Sequence, residues 1–263
     1  MSQAPPPPFD QVSGALRASQ NRLAETLTAL SDEQVTGPSY DDEWTIAQVA
    51  GHLGSGADVF GLFLDAGLRQ TSAPGVEQFA PVWDRWNAKA PAEQARDVLV
   101  ADAAFRGRID ALTEDERARW RLEMFGSEQT LAGMLRLRLA EHALHTWDVV
   151  VALDPKATLA EDSVPIVIDN VAPLVEHAGK PTATPVTVDV QTTAPHRQFT
   201  LDLTTDGARL TPAGTDAATA TLRLPGEAFV RLLYGRLDPD HTPSSVRVEG
   251  VELDTLRGAF PGV

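Results

Sequence analysis

Residues 127–153 read SEQTLAGMLRLRLAEHALHTWDVVVAL. The run has no proline and is rich in Leu and Ala, so it predicts a long helix. Its expected start is near Ser127, with Glu128 as a first-turn acid, and Asp154-Pro155 stops it. On a wheel of about 100° per residue, Leu131, Met134, Leu137 and Ala152 mark an apolar stripe. Arg138, Glu141, His145 and Asp148 fall inside that same stripe. Ionisable groups on a core-facing stripe are costly unless they are paired or bound to a metal. Glu141 and His145 are four residues apart, so their side chains point to one spot. A carboxylate and an imidazole so placed are two ready metal ligands. Taken alone, the pair is better read as an intrahelical hydrogen bond in a satisfied core.

The neighbouring pattern changes that balance. Three further helices are expected upstream, over about 9–30, 45–68 and 91–112. Thr45 caps the second and Pro91 opens the third. A short segment around Trp83 to Asn87 precedes the third. On the second, Ile46, Val49, Leu53, Phe60 and Leu64 define the inward stripe, and His52 lies at its edge. A lone histidine there is usually a packed core residue. In a helical bundle it is also a third potential ligand on a helix neighbouring that of Glu141 and His145. Gly51, Gly54 and Gly56 weaken this helix and imply close approach or room for a ligand. Three protein ligands leave one coordination position for water or substrate, as catalytic zinc sites do.

Beyond Pro155 the character changes. A helical piece over 163–177 ends at Gly179-Lys180-Pro181. Alternating β-branched runs follow at 186–190, 199–203, 208–211 and 219–224, with turn signals at Asp206-Gly207 and Pro212-Ala213-Gly214. They predict an antiparallel meander. A helix over 225–235, a strand at 245–248 and a helix near 253–260 close the chain. The expected organisation is an α+β two-domain protein: a helical bundle over 1–155 and an α+β domain with a small, mainly antiparallel sheet over 156–263. Pro5 to Pro8 read as an extended lead-in.

Composition narrows the chemistry. The 263 residues carry 37 acidic and 22 basic side chains, a formal charge of −15. That balance argues against nucleic acid or an anionic membrane surface as partner. Without a cationic, apolar N-terminal signal or a membrane-spanning run, the chain reads as soluble and cytoplasmic. There is no cysteine. Disulfides, thiolate metal sites and a protein-borne thiol nucleophile are therefore excluded. The basic residues are 19 Arg and 3 Lys, a skew that suggests a GC-rich genome.

Trp44-Thr45, His52, and Glu141 followed by His145, Trp147 and Asp148 resemble the DinB-like metal-binding four-helix bundle. More narrowly they resemble the mycothiol-dependent maleylpyruvate isomerase family, which has glutamate at the first position of the last-helix pair. That family carries a sterol-carrier-like α+β C-terminal domain, and the 229–236 stretch FVRLLYGR matches its Gly-Arg feature. The resemblance covers nearly the whole chain and is to an actinobacterial family. It implies a divalent metal, zinc by preference, on His52, Glu141 and His145. It also implies mycothiol as a borrowed thiol and a small electrophilic, unsaturated acid as substrate. A metal-bound thiolate would add to a cis double bond conjugated to a carbonyl; rotation and elimination would give the trans isomer. Releasing the adduct instead would make the protein an S-transferase. The same triad fits a hydrolase using metal-bound hydroxide, and a non-enzymatic module binding an apolar ligand in the second domain stays open.

Other residues carry two readings each. Arg236 either holds a substrate carboxylate or sits at an exposed helix end. Trp86 and Asn87 either wall the thiol pocket or pack against the bundle, and packing is the plainer reading. Arg138 reads as a partner of Asp148 or Glu141 rather than a substrate clamp. Asp148 either orients a metal-bound histidine or forms a buried salt bridge. His142 points about 100° away from Glu141 and is not expected to be a ligand. Trp147 falls off the stripe and is expected to pack against the second domain. Monomer and homodimer are both compatible with the sequence.

Overall fold

The computed structural model describes residues 7–41, 43–124, 126–212, 214 and 217–262. Pro5, Pro6 and Ala213, part of the expected lead-in and of one turn signal, lie outside them. The chain divides into two compact units, Pro7–Ala157 and Thr158–Val263.

Four long helices build the first unit: α1 (Phe9–Thr28), α2 (Ile46–Arg69), α4 (Pro91–Asp110) and α6 (Leu131–Val151). They close a ring, with α1 against α6 and α4, and α2 against α4 and α6. The side chain of Thr45 caps α2 by accepting from the Gln48 amide, and Gln48 returns the bond to the Thr45 amide. Val12, Leu16, Leu23, Ile46, Leu53, Leu64, Val98, Leu135 and Leu139 fill the interior. The segment before α4 is a full helix, α3 (Val76–Asn87), and a short α5 (Glu114–Arg119) follows α4.

The start of α6 differs from the expectation. Residues Ser127–Thr130 form strand β2, paired antiparallel with β1 (Arg121–Met124). Glu128 is therefore opposite Glu123 in a hairpin, not in a first helical turn. Thr130 caps α6 instead, accepting from the Gly133 amide at 3.1 Å. The residues 127–130 suit either state alone; pairing with 121–124 decides. Once formed, α6 is buried almost all round, with Leu137 half-buried and Ala152 exposed beyond its end.

In the second unit the helical piece over 163–177 is two helices, α7 (Val164–Ile168) and α8 (Ala172–Ala178). Pro173 lacks an amide hydrogen and restarts the helix at its first turn. Strands β3 (Val186–Thr193), β4 (Arg197–Leu203), β5 (Ala208–Pro212), β6 (Ala220–Pro225) and β7 (Arg247–Glu249) form one sheet in the order β5-β4-β3-β6-β7. The meander holds for β3, β4 and β5. The fourth strand departs from it: β6 runs parallel to β3, with Val190 beside Leu222. Val188, Val190, Leu201, Leu203, Leu222 and Leu224 make one buried face. Helix α9 (Gly226–Leu233) packs on it through β3 and β6 and is buried along its whole length. Helix α10 (Leu253–Ala259) packs against α9.

Candidate metal centre

His52, Glu141 and His145 converge between α2 and α6. One donor atom from each lies within 4.8 Å of the others. Glu141 Oε2 is 3.5 Å from His52 Nε2 and 3.8 Å from His145 Nε2. A tetrahedral ion with ligands at about 2.0–2.1 Å needs donor separations of roughly 3.3–3.5 Å. Two of the three separations therefore stand near that value, the third lies within 4.8 Å, and the donor set suits a divalent ion. Its open side remains accessible: the side chains of His52 and Glu141 are 37% and 44% exposed.

The surroundings of each candidate ligand fix its state. His145 Nδ1 is 2.9 Å from Asp148 Oδ2, and Asp148 is buried. A carboxylate there makes Nδ1 the protonated nitrogen and leaves the Nε2 lone pair facing Glu141. Asp148 thus orients His145, the first of its two readings. Burial pushes the Glu141 carboxyl up. The His52 hydrogen bond and the charges of His145, His52 and Arg138 outweigh it and hold that carboxyl down at about 2. Glu141 consequently offers an anionic oxygen at any physiological pH.

Trp44 closes one wall. Its indole stacks within 15° of the His145 ring at 6.4 Å and lies 5.3 Å from the His52 ring. The loop that carries it is tied to α6, because the Tyr40 amide donates to the Asp148 carbonyl at 2.9 Å. The sequence reading quoted Trp44 but gave it no role. Its position immediately before the Thr45 cap, seven residues before His52, was the available signal.

A second polar cluster lies behind the first. Asp102 on α4 accepts from Arg138 Nη2 at 3.0 Å and faces His142 Nε2 at 3.0 Å. His142 Nδ1 meets Ser19 Oγ at 2.8 Å. All four residues are buried. Burial lowers the His142 pKa more than Asp102 raises it, so its imidazole is neutral. Burial raises that of Asp102, but His142 and Arg138 outweigh it and keep it ionised. Arg138 is therefore paired with Asp102, not with Asp148 or Glu141. The wheel could not reveal this, because Asp102 lies on another helix.

Of the other sequence candidates, Trp86 is buried. Its ring occupies the place a Cβ on Gly54 would need, and its Nε1 donates to Asp58 at 2.7 Å. Asn87 is exposed at the end of α3. Trp147 donates from Nε1 to the Ala157 carbonyl at 2.9 Å and meets the Tyr40 ring at 4.8 Å, both within the helical unit. Arg236, in the second unit, is half-buried, and its Nη1 donates to the Tyr234 carbonyl at 2.8 Å. Gly235 before it has φ +74°, and a Cβ there would run into the backbone of Gly262.

A family model described as the mycothiol maleylpyruvate isomerase N-terminal domain matches residues 16–150, and one described as the MDMPI C-terminal domain matches 163–257. The chain belongs to the mycothiol maleylpyruvate isomerase family. Two solved structures, one of the mycothiol-dependent maleylpyruvate isomerase and one of its histidine-to-alanine mutant, superpose with a TM-score of 0.67. Each is 13% identical, with 94% of this chain and 95% of the other covered. At that identity the likeness shows the shared two-domain fold. No curated protein sequence matches significantly. Among the described residues no helix is long and apolar enough to cross a membrane.

Proposed function

We propose that this chain is a metal-dependent, mycothiol-dependent isomerase or S-transferase acting on a small unsaturated acid in the cytoplasm. The observation that carries the reading is the convergence of His52, Glu141 and His145 in a cysteine-free member of this family. A thiol reaction in such a chain needs an external thiol. When bound, a divalent ion, zinc by preference, would lower the thiol pKa and present the thiolate near neutral pH. The chain's own residues do the rest. His52, Glu141 and His145 hold the ion, and Asp148 keeps the His145 Nδ1 proton in place. Trp44 shields one side of the two imidazoles from water. Arg236 is assigned a substrate carboxylate, and Trp86 with Asn87 a wall for the thiol.

The deciding experiment is a metal-replete assay on unsaturated acids, with and without mycothiol, following products by mass. Isomerisation or adduct formation only with thiol supports the reading. Full turnover without thiol would reject it in favour of a metal-hydroxide hydrolase. The non-enzymatic reading has less support. The groove of about 540 Å³ in the second unit, lined by Glu176, Val186, Thr187, Asp202, Leu203, Arg209 and others, is wide open to solvent, unlike a deep enclosed ligand cavity.

A further inference from the structure

We propose that Arg138 is a positioning residue of this centre: seated on α2 at Gly56 and on α4 at Asp102, it sets the distance between His52 and the Glu141–His145 pair. The inference rests on the proposed metal-binding reading and concerns what holds the donors in place.

The donors sit on two helices. Glu141 and His145 are one turn apart on α6, so that helix alone fixes their spacing. His52 comes from α2, so the 3.5 Å between its Nε2 and Glu141 Oε2 depends on how α2 seats against α6. A metal-binding constellation needs its donors held to about 0.5 Å. Apolar contact between two helices is non-directional and does not by itself select such a distance.

Arg138 supplies a directional contact at this level. It lies one turn before Glu141 on α6 and reaches α2 beside His52. Its Nη2 donates to the carbonyl of Leu53, the residue after His52, at 2.7 Å. Its guanidinium fills the place a Cβ on Gly56 would need, where Nη1 would stand 2.6 Å away. Its Cζ lies 5.8 Å from the centre of the Phe60 ring. Positions 53, 56 and 60 succeed one another along one face of α2. The guanidinium is therefore fitted against two turns of α2, starting one residue past His52. Asp102 holds it from α4 at 3.0 Å. Arg138 is 1% exposed, so water does not compete for these contacts.

Stability alone does not account for the arrangement. Buried arginine–carboxylate pairs can often be replaced by apolar groups of similar size without loss. Nε is buried without a partner, which is unfavourable, and a glycine inside α2 weakens that helix. Together these features lock one planar group at a fixed place between three helices, level with the donors.

Two variants test this. Gly56→Ala puts a methyl where Nη1 lies while improving the helix propensity of α2. Arg138→Lys keeps the charge opposite Asp102 but lacks the planar head that fills the Gly56 site. Zinc affinity is measured by chelator competition, and coordination geometry by the visible absorption bands of the Co²⁺-loaded protein. Each variant should bind zinc at least about tenfold more weakly and shift the cobalt bands. Adding Gly56→Ala to Arg138→Lys should cost little more, because Nη1 is gone. Additive losses would overturn the proposal, since the two residues would then act separately. A role confined to packing predicts lower unfolding midpoints of the metal-free variants with unchanged zinc affinity and cobalt bands, and that result would also overturn it. If Arg138→Lys fails to fold, Gly56→Ala decides alone. Failure of the unmutated protein to bind zinc would overturn the metal centre and this proposal with it, whereas unchanged variants of a zinc-binding protein would overturn the positioning role only.

Discussion

Replacing Asp148 tests how much of the centre lies outside its ligands. Asp148 Oδ2 sits 2.9 Å from His145 Nδ1 and is 1% exposed, so water cannot substitute for it. Its charge makes the imidazole a stronger donor to a metal and fixes the tautomer. Losing such a partner generally costs tenfold to a hundredfold in metal affinity, or about 1.4–2.7 kcal/mol. Asp148→Asn still offers an oxygen to Nδ1–H but no charge, so about tenfold is expected. Asp148→Leu removes both, and about a hundredfold is expected. Zinc affinity should be measured by competition with a chelator of known strength, well below each variant's unfolding temperature. The temperature limit matters because unpairing a buried polar group costs about 1–3 kcal/mol of stability by itself. His145→Ala provides the lower bound, with zinc stoichiometry falling well below one. Wild-type zinc affinity in both Asp148 variants would refute the argument that this carboxylate tunes His145.

Three further outcomes follow from the same structure. The His142 pKa is lowered from 6.5, so its contribution to stability is present above that value and is lost as pH falls below it. Thermal midpoints of metal-free protein should decline on acidification from about pH 6.5, and His142→Gln should flatten that limb even though it is less stable at neutral pH. Gly54→Ala drives a methyl into the Trp86 ring and should cost about 1–3 kcal/mol by chemical denaturation, with Trp86→Leu in the same chain recovering part of it. Arg236→Ala and Arg236→Lys should both raise KM or lower turnover at unchanged zinc content; wild-type kinetics in both would leave Arg236 without a substrate contact.

Much of this was legible in the sequence because the signals were local. The Thr45 cap, the i,i+4 pair of Glu141 and His145 and the alternating strands each need only a few neighbouring residues. What escaped depended on distant partners. Residues 127–130 became a strand because 121–124 lie opposite. The β6 strand joined β3 in parallel because the sheet, not a turn, sets that pairing. Arg138 found Asp102 on α4, thirty-six positions away in sequence. The glycines of α2 read as points of close approach or as room for a ligand, and only the fold shows what approaches: Gln94 at Gly51, Trp86 at Gly54 and Arg138 at Gly56.

The two polar clusters on α6 also explain why a helix buried nearly all round settles in one orientation. Apolar packing specifies rotation poorly when most faces are apolar. Glu141 and His142 are adjacent, so a turn of the helix by about 100° would exchange them. That exchange would put a carboxylate against Asp102 and Ser19 and withdraw a proposed metal ligand. In the observed orientation His142 meets Ser19, Thr146 and Asp102, while Glu141 meets His52. Buried polar contacts of this kind often contribute little net stability, and their attested use is to select one arrangement among several. Here the inner cluster sets the rotation of α6 and therefore the aim of Glu141 and His145. On this argument, replacing Asp102 and His142 together by apolar residues of similar size could leave the bundle folded and even more stable while zinc binding weakens. Undiminished zinc affinity in a stably folded double variant would show that packing alone orients the helix.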